Sequence, residues 1–202
     1  MANSAPAVNT SEEQNDTLVV HKTCNEMGVL IQSVTLKNGV PDGETLIYDD
    51  GGQLTHRLMY ENGVLSGPAE FFFAGKPLMN TFFKNGLQEG EAVFFSNGIK
   101  VGVAYFKRGL FDGDFTSFDA AENVVRIAKY VAGQQEGSCL LYYPDGTLME
   151  ESFYKNNLPD GDTVRYFPNG NIMETFSFQD GNPCGIREKY DMNGNLISKE
   201  VM

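Results

Sequence analysis

A pair of glycines four residues apart recurs through this chain at a nearly constant interval, and it limits the possible folds more than any other feature. The pairs are Gly39/Gly43, Gly63/Gly67, Gly86/Gly90, Gly109/Gly113, Gly133/Gly137 and Gly181/Gly185, and Asn157/Gly161 completes the series. Successive second glycines lie 24, 23, 23, 24, 24 and 24 residues apart. A period of that length marks a repeat architecture, in which each unit is one supersecondary motif that buries its apolar surface against its neighbours. Asn157 stands where the other copies have glycine, and Asn is the residue that best tolerates a left-handed backbone after glycine. The spacing predicts seven copies over residues 34–202.

Alignment on the second glycine shows what each copy contains. Five residues later stands Tyr48, Phe72, Phe95, Phe118, Tyr142, Tyr166 or Tyr190, always aromatic. Eleven residues later stands Leu54, Leu78, Val101, Val124, Leu148, Ile172 or Leu196, always aliphatic. Seven residues before it stands Leu36, Tyr60, Phe83, Phe106, Tyr130, Tyr154 or Phe178. Between the aromatic and aliphatic positions lie turn sequences, among them Asp-Asp-Gly-Gly at 49–52, Pro-Asp-Gly at 144–146 and Pro-Asn-Gly at 168–170. Asp-Gly and Asn-Gly between apolar runs are the strongest short-range hairpin signal. Each copy therefore reads as strand, tight turn, strand. Copy four has Asp119-Ala-Ala-Glu-Asn123 with no glycine, so its turn is expected to differ.

A single hairpin is marginal in water, so the copies are expected to stack side by side. The fold class that follows is all-β: one elongated antiparallel sheet of stacked β-hairpins with a degenerate N-terminal cap. Residues 17–33, with Leu-Val-Val at 18–20, read as a capping strand or hairpin that protects the first edge. Residues 1–16 are polar and acidic and read as a disordered tail.

Two sets of residues are candidate partner contacts. The aromatic stripe at the fifth position reads as core. Its neighbours Phe71, Phe73, Phe94, Tyr143 and Phe167 then point to the other side of the sheet, because successive strand residues alternate faces. Large rings on a second face are a binding surface in the making. Asp42, Glu89, Asp112, Glu136 and Asp160 each precede a second glycine and form an acidic stripe at about 10 Å intervals, suited to steering a basic partner.

Charge and motifs narrow the function. The net charge is −12, which disfavours nucleic acid and anionic lipid as partners. Cys24, Cys139 and Cys184 are odd in number and carry no zinc or redox spacing. His21 and His56 lie in no motif with a nucleophile or metal ligand, and no nucleotide loop or metalloprotease motif is present. No enzyme activity, metal or cofactor is expected. The N-terminal sequence has neither a basic segment nor an apolar core, so the expected compartment is the cytoplasm.

The units Tyr-Glu-Asn-Gly-Val-Leu-Ser-Gly-Pro-Ala-Glu-Phe-Phe-Phe at 60–73 and Tyr-Lys-Asn-Asn-Leu-Pro-Asp-Gly at 154–161 resemble the MORN repeat in its bacterial variant form. Chains built almost wholly of this variant resemble the bacterial YwqK-type antitoxin family. That resemblance implies an immunity protein that binds and neutralises a cognate toxin. The alternative it leaves open is a MORN-type scaffold or envelope-associated protein.

Overall fold

The structure, a computed structural model, describes residues 17–202. Among these residues there is no helix, and all strands belong to one antiparallel sheet. β1 (Leu18–Cys24) and β2 (Leu30–Lys37) open it. Copies one and two supply β3 (Val40–Tyr48), β4 (Leu54–Glu61), β5 (Val64–Phe73) and β6 (Lys76–Lys84). Copy three supplies β7 (Leu87–Gln88), β8 (Gly90–Ser96) and β9 (Ile99–Lys107). Copy four supplies β10 (Leu110–Phe111), β11 (Gly113–Phe118) and β12 (Val124–Val131). The last three copies supply β13 (Gln134–Tyr142), β14 (Leu148–Lys155), β15 (Leu158–Pro159), β16 (Gly161–Tyr166), β17 (Ile172–Gln179), β18 (Asn182–Tyr190) and β19 (Leu196–Val201).

Each strand pairs with its neighbours in sequence, so the sheet is an unbroken meander from β1 to β19. The short segments β7, β10 and β15 are the first residues of strands interrupted at Glu89, Asp112 and Asp160. Counted without those breaks, the chain crosses the sheet sixteen times. At about 4.8 Å per step the outer strands lie roughly 70 Å apart. β2 pairs with β1 on one side and with β3 on the other, so the division expected after residue 33 falls inside a shared strand. The tail expected over residues 1–16 lies outside the described residues.

The two long margins of the sheet carry different turns. Along one run seven two-residue turns: Asn38-Gly39, Asn62-Gly63, Asn85-Gly86, Arg108-Gly109, Ala132-Gly133, Asn156-Asn157 and Asp180-Gly181, with positive φ at both positions. That is the signature of type I′, whose twist matches the flanking strands. Asn157 takes φ 68 in the place of glycine. On the other margin most turns span three residues and close with a left-handed residue. In the turn after β3, Gly52 N–H donates to the Asp49 carbonyl and Asp49 N–H to the Gln53 carbonyl, each at 2.9 Å. Asp49 Oδ1 accepts the Gly51 and Gln53 N–H groups.

Copy four does not differ as expected. Asp119 N–H donates to the Asn123 carbonyl and Glu122 N–H to the Asp119 carbonyl, which is the same turn, with Glu122 at φ 62 in the glycine position. Asp119 Oδ1 accepts the Ala121 and Asn123 N–H groups at 2.8 and 2.9 Å, and these bonds hold the loop without a glycine.

The core is not where the aromatic repeat places it. Among the described residues the buried apolar ones are Leu58, Ala69, Ala92, Ala104, Ala128 and Cys139, and Leu58 is the one large side chain in that set. Thr45, Thr81, Ser152 and Thr163 are buried beside them. The register sets these residues opposite one another in a row across the sheet, as in Thr45 with Leu58, Ala69 with Thr81 and Cys139 with Ser152. Small side chains lie at the bottom of this row, and the rings of adjacent strands cover them. The fifth-position stripe, Tyr48 to Tyr190, lies on the opposite face and is half-buried throughout. The expected assignment of faces is thus inverted: Phe71 and Phe94, two residues on from Ala69 and Ala92, share the face of the buried row.

The left-handed Glu122 costs about 1 kcal/mol relative to a residue without a Cβ. Glu122→Gly is expected to raise stability by about 0.5–1 kcal/mol in chemical denaturation, after the higher chain entropy of glycine is offset.

Candidate functional site

The face that carries the buried row, here the ring face, is built by one repeated device. Each second glycine interrupts its strand with a bulge: Glu89, Asp112 and Asp160 N–H groups donate to the Phe82, Tyr105 and Phe153 carbonyls at 2.8–2.9 Å. The glycine is required there. At Gly67, φ is +118 and a Cβ would stand 2.9 Å from the Met59 Cβ, and at Gly161 it would stand 3.2 Å from the Phe153 Cβ. Opposite each glycine stands the aromatic that lies seven residues before the next copy's second glycine, as Gly90 with Phe106 and Gly113 with Tyr130. With no side chain across from them, these rings fold over the sheet.

In the middle of the sheet the rings meet. Phe106 and Phe111 have centroids 4.6 Å apart, Phe111 stacks on Phe115 at 5.7 Å, and Tyr130 lies 5.5 Å from Phe111. Phe94 reaches Phe115 at 6.0 Å. Gly102 makes the room, since a Cβ there would stand 3.0 Å from the Phe115 ring. Every one of these rings remains half-exposed.

Toward the C-terminus the same face becomes ionic. Arg165 Nε donates to Glu150 Oε2 at 2.7 Å, and its Nη1 donates to Glu174 Oε2 at 3.2 Å. Arg187 Nε donates to Glu174 Oε1 at 2.6 Å, and the guanidinium of Arg165 lies 5.0 Å from the Phe176 ring centre. Burial works to raise the Glu174 carboxyl, yet the hydrogen bond and charge of Arg187, with Arg165, outweigh it and hold the group below its ordinary 4.5. This ladder was missed in the sequence. Its signal was opposite charges at cross-strand partners, Glu150 with Arg165 and Arg165 with Glu174.

The ten expected contact residues fall into different settings. Phe71 and Phe94 belong to the ring face, and Phe71 meets the His56 ring edge-on at 5.2 Å. Phe73 is 72% exposed beside the Ala74-Gly75 turn. Tyr143 and Phe167 open turns, and the Tyr143 hydroxyl donates to the Tyr166 carbonyl at 2.8 Å.

The five acids share one margin of the sheet and also one backbone role. Asp42, Glu89, Asp112, Glu136 and Asp160 accept the N–H groups of Asn62, Arg108, Ala132, Asn156 and Asp180 at 2.9–3.3 Å. Each of those donors is the first residue of the next type I′ turn. All five carboxylates are half-buried. The margin also carries Lys37, Lys84, Lys107, Arg108 and Lys155, so it is not uniformly negative. Among the described residues, no group of three or more His, Cys, Asp or Glu side chains could hold a metal ion.

The repeat can now be compared with known proteins. Residues 135–156 and 159–180 match the MORN repeat variant. These segments are copies five and six, from β13 through β17. MORN repeats are non-enzymatic scaffolds that serve as protein-interaction or membrane-binding modules. No curated protein matches the chain. Among solved structures, a protein of unknown function from Bacteroides fragilis aligns over 93% of this chain and 94% of its own, at 8% identity. Its TM-score is 0.11.

Two tests follow from this geometry. Glu136→Ala leaves the Asn156 N–H without its acceptor and is expected to cost about 1 kcal/mol, whereas Glu136→Gln, which keeps an accepting oxygen, costs less than half of that. The ion ladder carries a pH signature. A carboxyl held below its ordinary range adds stability above about pH 4.5 and loses it as pH falls through the folded-state value. Glu174→Gln is therefore expected to melt below the wild type at pH 7, with the two melting temperatures converging toward pH 3.

Proposed function

We propose that this chain is a protein-interaction module whose ring face receives a partner protein, and that the partner is a bacterial toxin which it neutralises. One observation carries the first part. In the middle of the sheet Phe94, Phe106, Phe111, Phe115 and Tyr130 pack together beside buried alanines and stay half-exposed, so among the described residues this face presents apolar ring surface with no second layer over it. Large, rigid rings lose little entropy on docking and dominate interface energetics.

The toxin reading rests on the resemblance of these repeats to the YwqK-type antitoxin family and on the charge of −12, which suits a cationic partner. Asp42, Glu89, Asp112, Glu136 and Asp160 contribute to the long-range field that brings such a partner in, while contact falls to the rings. Neutralisation of this kind takes place in the cytoplasm, before the toxin leaves the cell. The charge also favours a protein over an anionic bilayer as the partner.

The decisive experiment co-expresses the chain with the toxin candidate encoded beside its gene and scores growth. Rescue by the wild type, and loss of rescue with Phe71→Ala/Phe73→Ala, is the expected result. Phe73 is exposed, so the variant retains its fold by circular dichroism while affinity drops at least about tenfold. Continued killing in the presence of well-expressed wild-type chain sinks the immunity role. Full rescue by the double variant moves the contact surface off the ring face.

A further inference from the structure

On the type I′ margin, successive turns Asn85-Gly86 and Arg108-Gly109 border an open recess of about 420 Å³ lined by Lys84, Asn85, Leu87, Glu89, Lys107 and Arg108. Three of the chain's 15 Lys and Arg residues converge there, on a protein with 27 acids. Among the described residues, none of the three takes part in the ion pairs, which involve Arg57, Lys100, Arg165, Arg187 and Lys199. The single carboxylate in the recess, Glu89, is tied to the backbone, accepting the Arg108 N–H at 2.9 Å. This junction is also singular in sequence. The residue before the turn is Lys37, Glu61, Lys84, Lys107, Val131, Lys155 or Gln179, and only at Lys84 and Lys107 do consecutive copies both supply a cation.

Arg108 adds a second, independent observation. It occupies the first position of a type I′ turn at φ 52, where four other copies have Asn, one has Asp and one has Ala. A long side chain without a local hydrogen-bonding group is a poor choice for that conformation, and among the seven turns Arg108 alone sets a cation at that position.

We infer that this recess binds one compact oxyanion of the phosphate class, as free phosphate or a soluble phosphate monoester. The charge inventory fits. Three cations and one carboxylate leave about two positive charges, which a dianion neutralises. Arg and Lys side chains give such an anion charge-assisted hydrogen bonds from several directions. An extended polyanion is a poorer fit, because the charge of −12 repels it beyond the recess. The site lies away from the ring face and stands whether or not a toxin docks there.

The test titrates inorganic phosphate into the full chain and follows backbone amide shifts by NMR, with sodium chloride at matched ionic strength as the control. Saturable shifts are expected at Asn85, Gly86, Arg108 and Gly109. Arg108→Asn is expected to weaken binding about tenfold, the loss of one charge-assisted contact. That variant installs the residue used at the equivalent turns, so it folds. Lys84→Gln supplies a second variant of intact backbone and is expected to weaken binding by a similar factor. Shifts that track chloride, or an Arg108→Asn variant that binds phosphate as tightly as the wild type, overturn the proposal. So does binding seen only with vesicles containing phosphatidic acid and not with inorganic phosphate.

Discussion

Everything in this sheet depends on how one hairpin fastens to the next. The type I′ turns of copies two to seven each send an N–H group back to the copy before, and five of the six send a second. The second turn residue donates to a strand carbonyl: Gly63 to Pro41, Gly86 to Leu65, Gly109 to Gln88, Gly133 to Phe111, Asn157 to Gln135 and Gly181 to Pro159, at 2.7–3.1 Å. The first turn residue donates to the carboxylate that follows that carbonyl, at five of the junctions. The bulge at the second glycine turns these acceptors outward. The two glycines of the motif are therefore halves of one joint: one forms a turn, and the other shapes the seat for the turn that comes after it.

That joint explains why a sheet one layer thick holds together with Leu58 as the one large apolar side chain buried among the described residues. Packing is lateral as well as vertical. Leu110 lies against the Gly133 turn and Leu158 against the Gly181 turn, each about one van der Waals contact away. Hydrogen bonds along the margin supplement the strand ladders, and small residues such as Ala92 and Ala104 let the rings above them close over the backbone. A conventional core would need a second layer. Here the repeated turn joint does part of that work, and a whole face of rings is left available.

The period, the seven units, the left-handed Asn157 and the hairpin turns were legible in the sequence because each follows from local backbone chemistry. The location of the core was not. Its row consists of Thr45, Ala69, Ala92, Cys139 and Thr163, residues whose burial is imposed by what lies on adjacent strands and leaves no apolar pattern of its own. The stronger periodic signal at Tyr48 and Tyr142 drew attention to the opposite face. The acids before the second glycine were visible as a recurrent charge, yet their acceptor role was not, because their partners lie about 20 residues away across a turn. The turn at Asp119 was misjudged for the opposite reason: absence of glycine was weighed without the bonds that the Asp119 carboxylate makes in its place.

The meander has a mechanical consequence. The first and last described strands, β1 and β19, lie at opposite ends of the sheet, and the ladder of every strand between them runs only to its sequence neighbours, with the turn joints adding bonds at one margin. Tension applied between the two ends meets the hydrogen bonds one strand at a time, as a zipper does, and never loads them together in shear. Under such a pull the sheet would pay out chain in steps of one hairpin, each released at low force. Load borne along the strands, from one turn margin to the other, would instead be shared by all sixteen crossings.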